Sequence, residues 1–199
     1  MKKIAVLFGG CLALASIAAA SPAQAAWTSY VSEEDGAAYC GYDDGAAGFA
    51  CWGDYCDDVA LECRPLPSWT YLDYTTAYWT SYFSEEGDSD LGQTVCADGP
   101  NGSYCESFQL GDNLRYCFGG RTTNKGIVTG IRCSGSNCDD IALECIKPVV
   151  GRLTGCYWSD WLSEEQWYYY FGANQFITGV ECSGDYCDDK RFYVCSLVE

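Results

Sequence analysis

The chain has 199 residues, 15 cysteines, no histidine, and 28 acidic against 11 basic residues, for a net charge of −17 at neutral pH. That balance argues against nucleic acid and anionic membrane surfaces as partners, because phosphate binding needs a basic face. The missing histidine removes Ser-His-Asp and Cys-His catalysis altogether.

In chain order, the first element reads as a secretory leader, residues 1–25. Lys2 and Lys3 form a basic start, Ile4 to Ala20 an apolar stretch, and Ala23-Gln24-Ala25 a small-residue cleavage site. Gly9, Gly10 and Ser16 interrupt the stretch and speak against a transmembrane helix, and no later segment is apolar enough to span a bilayer. The expected destination is secreted, extracellular or periplasmic. The leader takes with it Cys11, two of the basic residues and none of the acidic ones, so the remainder carries about −19 and 14 cysteines. An even count in an exported chain points to seven disulfides. Zinc thiolates are disfavoured by the absent histidine and by a C-x4-C spacing wider than common zinc knuckles.

The remaining chain, one domain over 26–199, writes one pattern three times. A phrase opening on tryptophan (Trp27-Thr-Ser-Tyr-Val-Ser-Glu-Glu34, Trp79-Thr-Ser-Tyr-Phe-Ser-Glu-Glu86, Trp158-Ser-Asp-Trp-Leu-Ser-Glu-Glu165) precedes a cysteine cassette. The cassettes are Cys51 to Cys63, Cys133 to Cys145 and Cys182 to Cys195, giving units 27–63, 79–145 and 158–195. The second unit carries an insertion, 87–115, whose Gly99-Pro100-Asn101-Gly102 turn signal predicts a surface loop closed by Cys96 and Cys105.

Periodicity within a unit is two: Ile127, Thr129, Ile131 and Cys133 alternate with small or polar residues, as do Val59, Leu61 and Cys63, or Ile141, Leu143 and Cys145. This predicts short, half-buried strands and almost no helix. Each C-x4-C pair (Cys51 and Cys56, Cys133 and Cys138, Cys182 and Cys187) brackets a turn in which glycine takes positive φ. Four cysteines per unit permit three connectivities. Pairing Cys40 with Cys63 and Cys117 with Cys145 would complete two bridges per unit. Unit three places Tyr170 where the others have Tyr39-Cys40 and Tyr116-Cys117, and gains Cys156. A moved cysteine suggests two nearby sites serving one partner, Cys195. One residue is also inserted before Cys195, predicting a bulge or shifted register. The linkers, 64–78 and 146–157, contain Leu66, Trp69, Leu72, Val149, Val150 and Leu153, too apolar for flexible spacers. Closure around a pseudo-threefold axis, as a disulfide-rich all-β domain, is therefore expected: a β-prism first, a β-trefoil second.

The three opening tryptophans with the strings Asp57-Asp58-Val59-Ala60-Leu61 and Asp139-Asp140-Ile141-Ala142-Leu143 resemble the threefold repeat of vitelline membrane outer layer proteins. That resemblance implies a β-prism and lends little on activity.

For function, the repeated Glu33-Glu34, Glu85-Glu86 and Glu164-Glu165 supply acids for a carboxylate glycosidase. Three equal copies, however, lack the asymmetric pair that acid-base catalysis uses, so a non-catalytic protein is expected. Paired aromatics three residues apart (Trp27 and Tyr30, Trp79 and Tyr82, Trp158 and Trp161) beside carboxylates suit stacking on sugars, which predicts a lectin-like carbohydrate-binding protein. The competing reading packs these rings into the core. Trp52, where the other units have Ser134 and Ser183, is the best single candidate for an exposed contact. The pairs Asp57 and Asp58, Asp139 and Asp140, and Asp188 and Asp189 suit calcium as a possible cofactor, against a purely structural use in turns. The alternative function is a disulfide-stapled acidic module that binds a basic extracellular protein as an inhibitor, immunity factor or cell-envelope component.

Overall fold

The computed structural model describes residues 25–84, 93–99, 102–108, 114–117, 126–163 and 166–199, with backbone alone for 93–99, 102–108 and Leu114. The leader, Glu85-Glu86, Glu164-Glu165 and the expected Cys96 to Cys105 bridge fall outside the described residues or side chains.

Among the described residues fourteen strands form: β1 (Ala26–Trp27), β2 (Ala38–Tyr39), β3 (Asp44–Trp52), β4 (Asp58–Pro65), β5 (Leu72–Trp79), β6 (Gln93–Gly99), β7 (Gly102–Phe108), β8 (Leu114–Tyr116), β9 (Ile127–Ser134), β10 (Asp140–Pro148), β11 (Arg152–Trp158), β12 (Tyr168–Tyr170), β13 (Gln175–Ser183) and β14 (Asp189–Val198). Among the described residues helix is limited to 3₁₀ segments, including one turn in each cassette. The period of two therefore gives strands, as expected. The segments read as linkers are correspondingly not spacers: they contribute β5 and β11, edge strands of two sheets, whose Leu72 and Leu153 pack against one buried cluster.

Three antiparallel four-stranded sheets have the orders β1-β4-β3-β12, β5-β10-β9-β2 and β11-β14-β13-β8. Each is built on one cassette hairpin, flanked on one side by the tryptophan strand of its own unit. The other flank comes from a different unit: β2 of unit one joins the second sheet, β8 of unit two the third, and β12 of unit three the first. This cyclic exchange pairs both sides of every cassette hairpin. The insertion of unit two is a separate two-stranded hairpin whose register sets Cys96 opposite Cys105.

The inward faces share one core, which includes Phe49, Val59, Leu61, Ile131, Ile141, Leu143, Val180, Phe192 and Val194. A second cluster, Ala47, Leu66, Leu72, Ile127, Ile146, Phe176 and Leu197, closes the far ends of the hairpins. The three cassette turns, Asp54–Cys56, Ser136–Cys138 and Asp185–Cys187, contact one another. Tyr55 and Tyr186 meet there at 5.3 Å, and the Cys138 sulfur lies 2.8 Å from the Asp57 carbonyl oxygen. Each turn holds two successive non-glycine residues at positive φ (Tyr55 and Cys56, Asn137 and Cys138, Tyr186 and Cys187), a costly backbone that a bridge across five residues fixes. Lys190 occupies the place of Val59 and Ile141, fully buried, and its ammonium donates to the Cys187 carbonyl.

Six expected bridges are present: Cys40–Cys63, Cys51–Cys56, Cys117–Cys145, Cys133–Cys138, Cys156–Cys195 and Cys182–Cys187. Cys40 follows β2 in the second sheet and Cys63 lies in the first, so their bridge joins two sheets. Cys117 and Cys145 do the same for the third and second. Unit three differs, and the physical reason corrects the expectation that one partner is served from two nearby sites. Register aligns Tyr170 with Tyr39 and Tyr116, so Phe171 takes the position of Cys40 and Cys117. The inserted residue puts Val194 opposite Ile177, where Cys63 stands opposite Ala46 and Cys145 opposite Val128. A one-residue slip turns a side chain to the other face. Cys195 therefore meets Cys156 within the third sheet, and buried Phe171 and Val194 replace the missing intersheet bridge.

Candidate aromatic cleft

The outer face of the first sheet reads as two rows across its strands. In one, Trp27 pairs with Glu62, Glu62 with Gly48, and Gly48 with Tyr170. In the next, Ala60 pairs with Ala50 and Ala50 with Tyr168, while Tyr30, just before the Val31 to Val59 bridge, stands beside Ala60. Alternation sends Phe49, Cys51, Val59 and Leu61 inward, so these rows face away from the core. Trp27 and Tyr30 form one bank, Tyr168 and Tyr170 the other, and Gly48, Ala50, Ala60 and Glu62 the floor. Three strand spacings separate the backbones of the two banks, about 14 Å.

The result is a cleft of about 600 Å³ lined by Trp27, Tyr30, Ala50, Glu62, Arg64, Tyr168 and Tyr170. The four aromatics are 45%, 48%, 58% and 61% exposed in chain order. Tyr168 and Tyr170 lie nearly parallel, centroids 6.0 Å apart. Gly48 is needed in the floor, since a Cβ there would come within 2.6 Å of Glu62 Oε2 and 2.7 Å of the Tyr169 carbonyl oxygen. At the end of the bank, Trp52 and Trp167 meet edge to face at 4.5 Å, each about half exposed.

The charges of the cleft neutralise each other. Arg64 Nη2 donates to both Glu62 oxygens at 2.9 Å and Nε to Oε1 at 3.3 Å, while Nη1 donates to the carbonyls of Phe171 at 2.6 Å and Gly172 at 3.1 Å. Arg64 thus ties β4 to the chain just after β12, at the junction where an intersheet disulfide is missing.

The other two sheets write the same rows and close them. In the second, Trp79, Glu144, Gly130 and Tyr39 form the first row, and the Tyr39 and Trp79 rings touch at 5.8 Å. Arg132 holds the place of Ala50, its guanidinium 4.5 Å from the Trp79 ring centre and 4.9 Å from that of Tyr82. In the third, the row is Trp158, Tyr193, Gly179 and Tyr116, and Tyr116 reaches Trp158 at 5.7 Å. Arg191 holds the place of Ala60, lies 4.9 Å and 4.7 Å from Trp158 and Trp161, and pairs at 2.7 Å with Glu181 in the place of Ala50. Burial and its neighbours push the Tyr116 hydroxyl up to about 12. A guanidinium over aromatic faces is stabilising, and here it occupies the space that alanines leave open in the first sheet.

The paired aromatics of the three tryptophan phrases are thus on outer faces while Val31, Phe83 and Leu162 of the same phrases enter the core, and of those six aromatics Trp27 and Tyr30 line the open cleft, with Trp52 nearby. Tyr168, Tyr170, Glu62 and Arg64 complete it, and sequence reasoning did not single them out. Aligning the cassettes column by column carries a usable signal: Gly-Phe-Ala-Cys51, Gly-Ile-Arg-Cys133 and Gly-Val-Glu-Cys182 differ at the residue that fills or spares the cleft.

The aspartate pairs lie at the cassette turns, and in the first sheet Asp58 pairs with Trp52, two residues before the floor residue Ala60. The Oδ1 atoms of Asp57, Asp139 and Asp188 press on Gly53, Gly135 and Gly184, where a Cβ would fall 1.8, 1.8 and 2.0 Å away. Positive φ of 81°, 77° and 77° also favours glycine there. Asp58, Asp140 and Asp189 open β4, β10 and β14. Burial, with Asp58, Glu33 and Asp54 adding repulsion, holds the Asp57 carboxyl above the usual range. Among the described residues no group of three or more histidine, cysteine, aspartate or glutamate side chains is arranged to hold a metal ion. No protein-family model, curated protein or solved structure matches the chain.

Proposed function

We propose that this is a secreted, non-catalytic, lectin-like protein that binds glycan through a single cleft on the first sheet. The observation that carries the reading is the asymmetry of the three sheets. All repeat the same aromatic row, but arginine fills two of them and small residues leave one open as a cleft of about 600 Å³. Aromatic rings flanking a shallow floor suit the apolar faces of pyranose rings, with tyrosine hydroxyls available to sugar hydroxyls. Glu62, held by both oxygens on Arg64, is poorly placed to act as acid or base, which favours binding over hydrolysis. The six bridges suit an oxidising destination. The cyclic exchange of β2, β8 and β12 favours a β-prism over a trefoil, in keeping with the resemblance to vitelline membrane outer layer proteins.

A glycan array probed with the oxidised protein and its Trp27→Ala and Tyr170→Ala variants tests this reading. Signal that both substitutions reduce at least tenfold, with unchanged circular dichroism, supports it. Absence of any glycan signal, or signal indifferent to both substitutions, overturns it.

A further inference from the structure

Resting on that reading of the cleft, we propose that its ligand is an uncharged oligosaccharide of pyranoses with all substituents equatorial, the glucose or N-acetylglucosamine type, of at least two sugar units. Three features of the cleft carry this.

The first is that the banks face each other. Trp27 and Tyr30 stand on β1 and the segment after it, Tyr168 and Tyr170 on β12, with floor residues that rise no further than Cβ except at Glu62. A sugar lying between the banks turns one side to each. A pyranose with every substituent equatorial presents axial C–H groups on both sides. An axial hydroxyl, as at C4 of galactose or C2 of mannose, would press a polar group against a ring and lose its water without a replacement hydrogen bond, which is costly.

Charge gives the second feature. Among the described residues, the charged side chains lining the cleft are Glu62 and Arg64, and the guanidinium is committed to that carboxylate and to two backbone carbonyls. No uncommitted cation among the lining residues is available to a uronate or sulfate, and the chain as a whole is at −17. Its field opposes an anionic ligand.

Length is the third. Aromatics repeat along the strands in successive rows, Trp27 with Tyr170 and then Tyr30 with Tyr168, about 7 Å apart from the rise of two residues in a strand. The parallel rings of Tyr168 and Tyr170 are 6.0 Å apart. One sugar fills one row, so two linked sugars fill both.

Calorimetric titration of the full oxidised chain with cellotetraose, chitotetraose, glucose, mannotetraose, β-1,4-galactotetraose and tetragalacturonate reads all three features. The expected result is binding of cellotetraose or chitotetraose that is at least tenfold tighter than the manno-, galacto- and galacturono-tetramers, and at least tenfold tighter than glucose. Ala50→Arg should abolish that binding while the melting temperature is kept. Equal or tighter binding of mannotetraose, galactotetraose or tetragalacturonate at the same cleft would overturn this proposal and leave the glycan reading standing. Failure of every sugar to bind would overturn the glycan reading itself.

Discussion

Replacing Ala50 with arginine copies into the first sheet what Arg132 does in the second. Ala50 and Arg132 share one position in the rows, and Arg132 lies 4.5 Å and 4.9 Å from the rings equivalent to Trp27 and Tyr30. Two cation-π contacts contribute about 0.5–1 kcal/mol each at exposed sites. Ordering an arginine side chain costs about 1.5–2 kcal/mol. These nearly cancel, so stability should stay within about 1 kcal/mol, a change in melting temperature of about 2–4 °C at this size. Ligand binding should suffer far more. Losing stacking on two rings removes about 0.5–1.5 kcal/mol at each, and the filled volume excludes the sugar as well, so affinity should fall by about 30-fold or more, roughly 2 kcal/mol or greater. Calorimetric titration with cellotetraose beside a thermal melt measures both quantities, with Ala50→Ser as a control that leaves the cleft open. An Ala50→Arg protein that melts normally and binds within threefold of the wild type would refute the cleft as the site.

Other outcomes follow from the same geometry. Arg64→Ala leaves the Glu62 carboxylate and the Phe171 carbonyl without their donor, and should cost about 2–3 kcal/mol in denaturant unfolding; exchange of the Tyr168 to Tyr170 amides should quicken more than that of β9, and uniform quickening would contradict the clamp. The double variant Phe171→Cys with Val194→Cys supplies the third intersheet bridge that unit three lacks, so mass spectrometry of the oxidised protein should find no free thiol at either position; two alkylatable thiols would disprove the alignment of Phe171 with Cys40. Acidification should stabilise the fold. Asp57 and Asp44 are both raised by burial and acidic neighbours, so the folded state binds protons more tightly, and stability should rise as pH falls from 7 toward the ordinary carboxylate value of 3.8. Thermal melts that decline steadily over that window would contradict this sign.

Much of the construction was legible in residues alone. A period of two with glycine turns fixes strands and hairpins because side-chain alternation and positive φ are local properties, and Cys51-x4-Cys56 with its two copies marks the turn on which each sheet is built. The pairing of Cys40 with Cys63 and of Cys117 with Cys145 was also accessible, since repetition narrows the connectivities.

Which rings could meet a ligand was not. Trp27, Trp79 and Trp158 open nearly identical phrases, so local sequence assigns them one role. Their difference depends on what stands one or two strands away: Ala60 and Ala50 beside Trp27, Arg132 beside Trp79, Arg191 beside Trp158. Tyr168 and Tyr170 reach the cleft only because β12 leaves its own unit to pair with β3, over a hundred residues earlier in the chain. Cross-strand neighbours are set by register and by strand exchange, which no window of sequence contains. The sequence alone determined a thrice-built, cross-linked β-domain; tertiary structure decided that three equal aromatic phrases become one open cleft and two filled ones, because a guanidinium over a ring is a contact made between strands rather than along them.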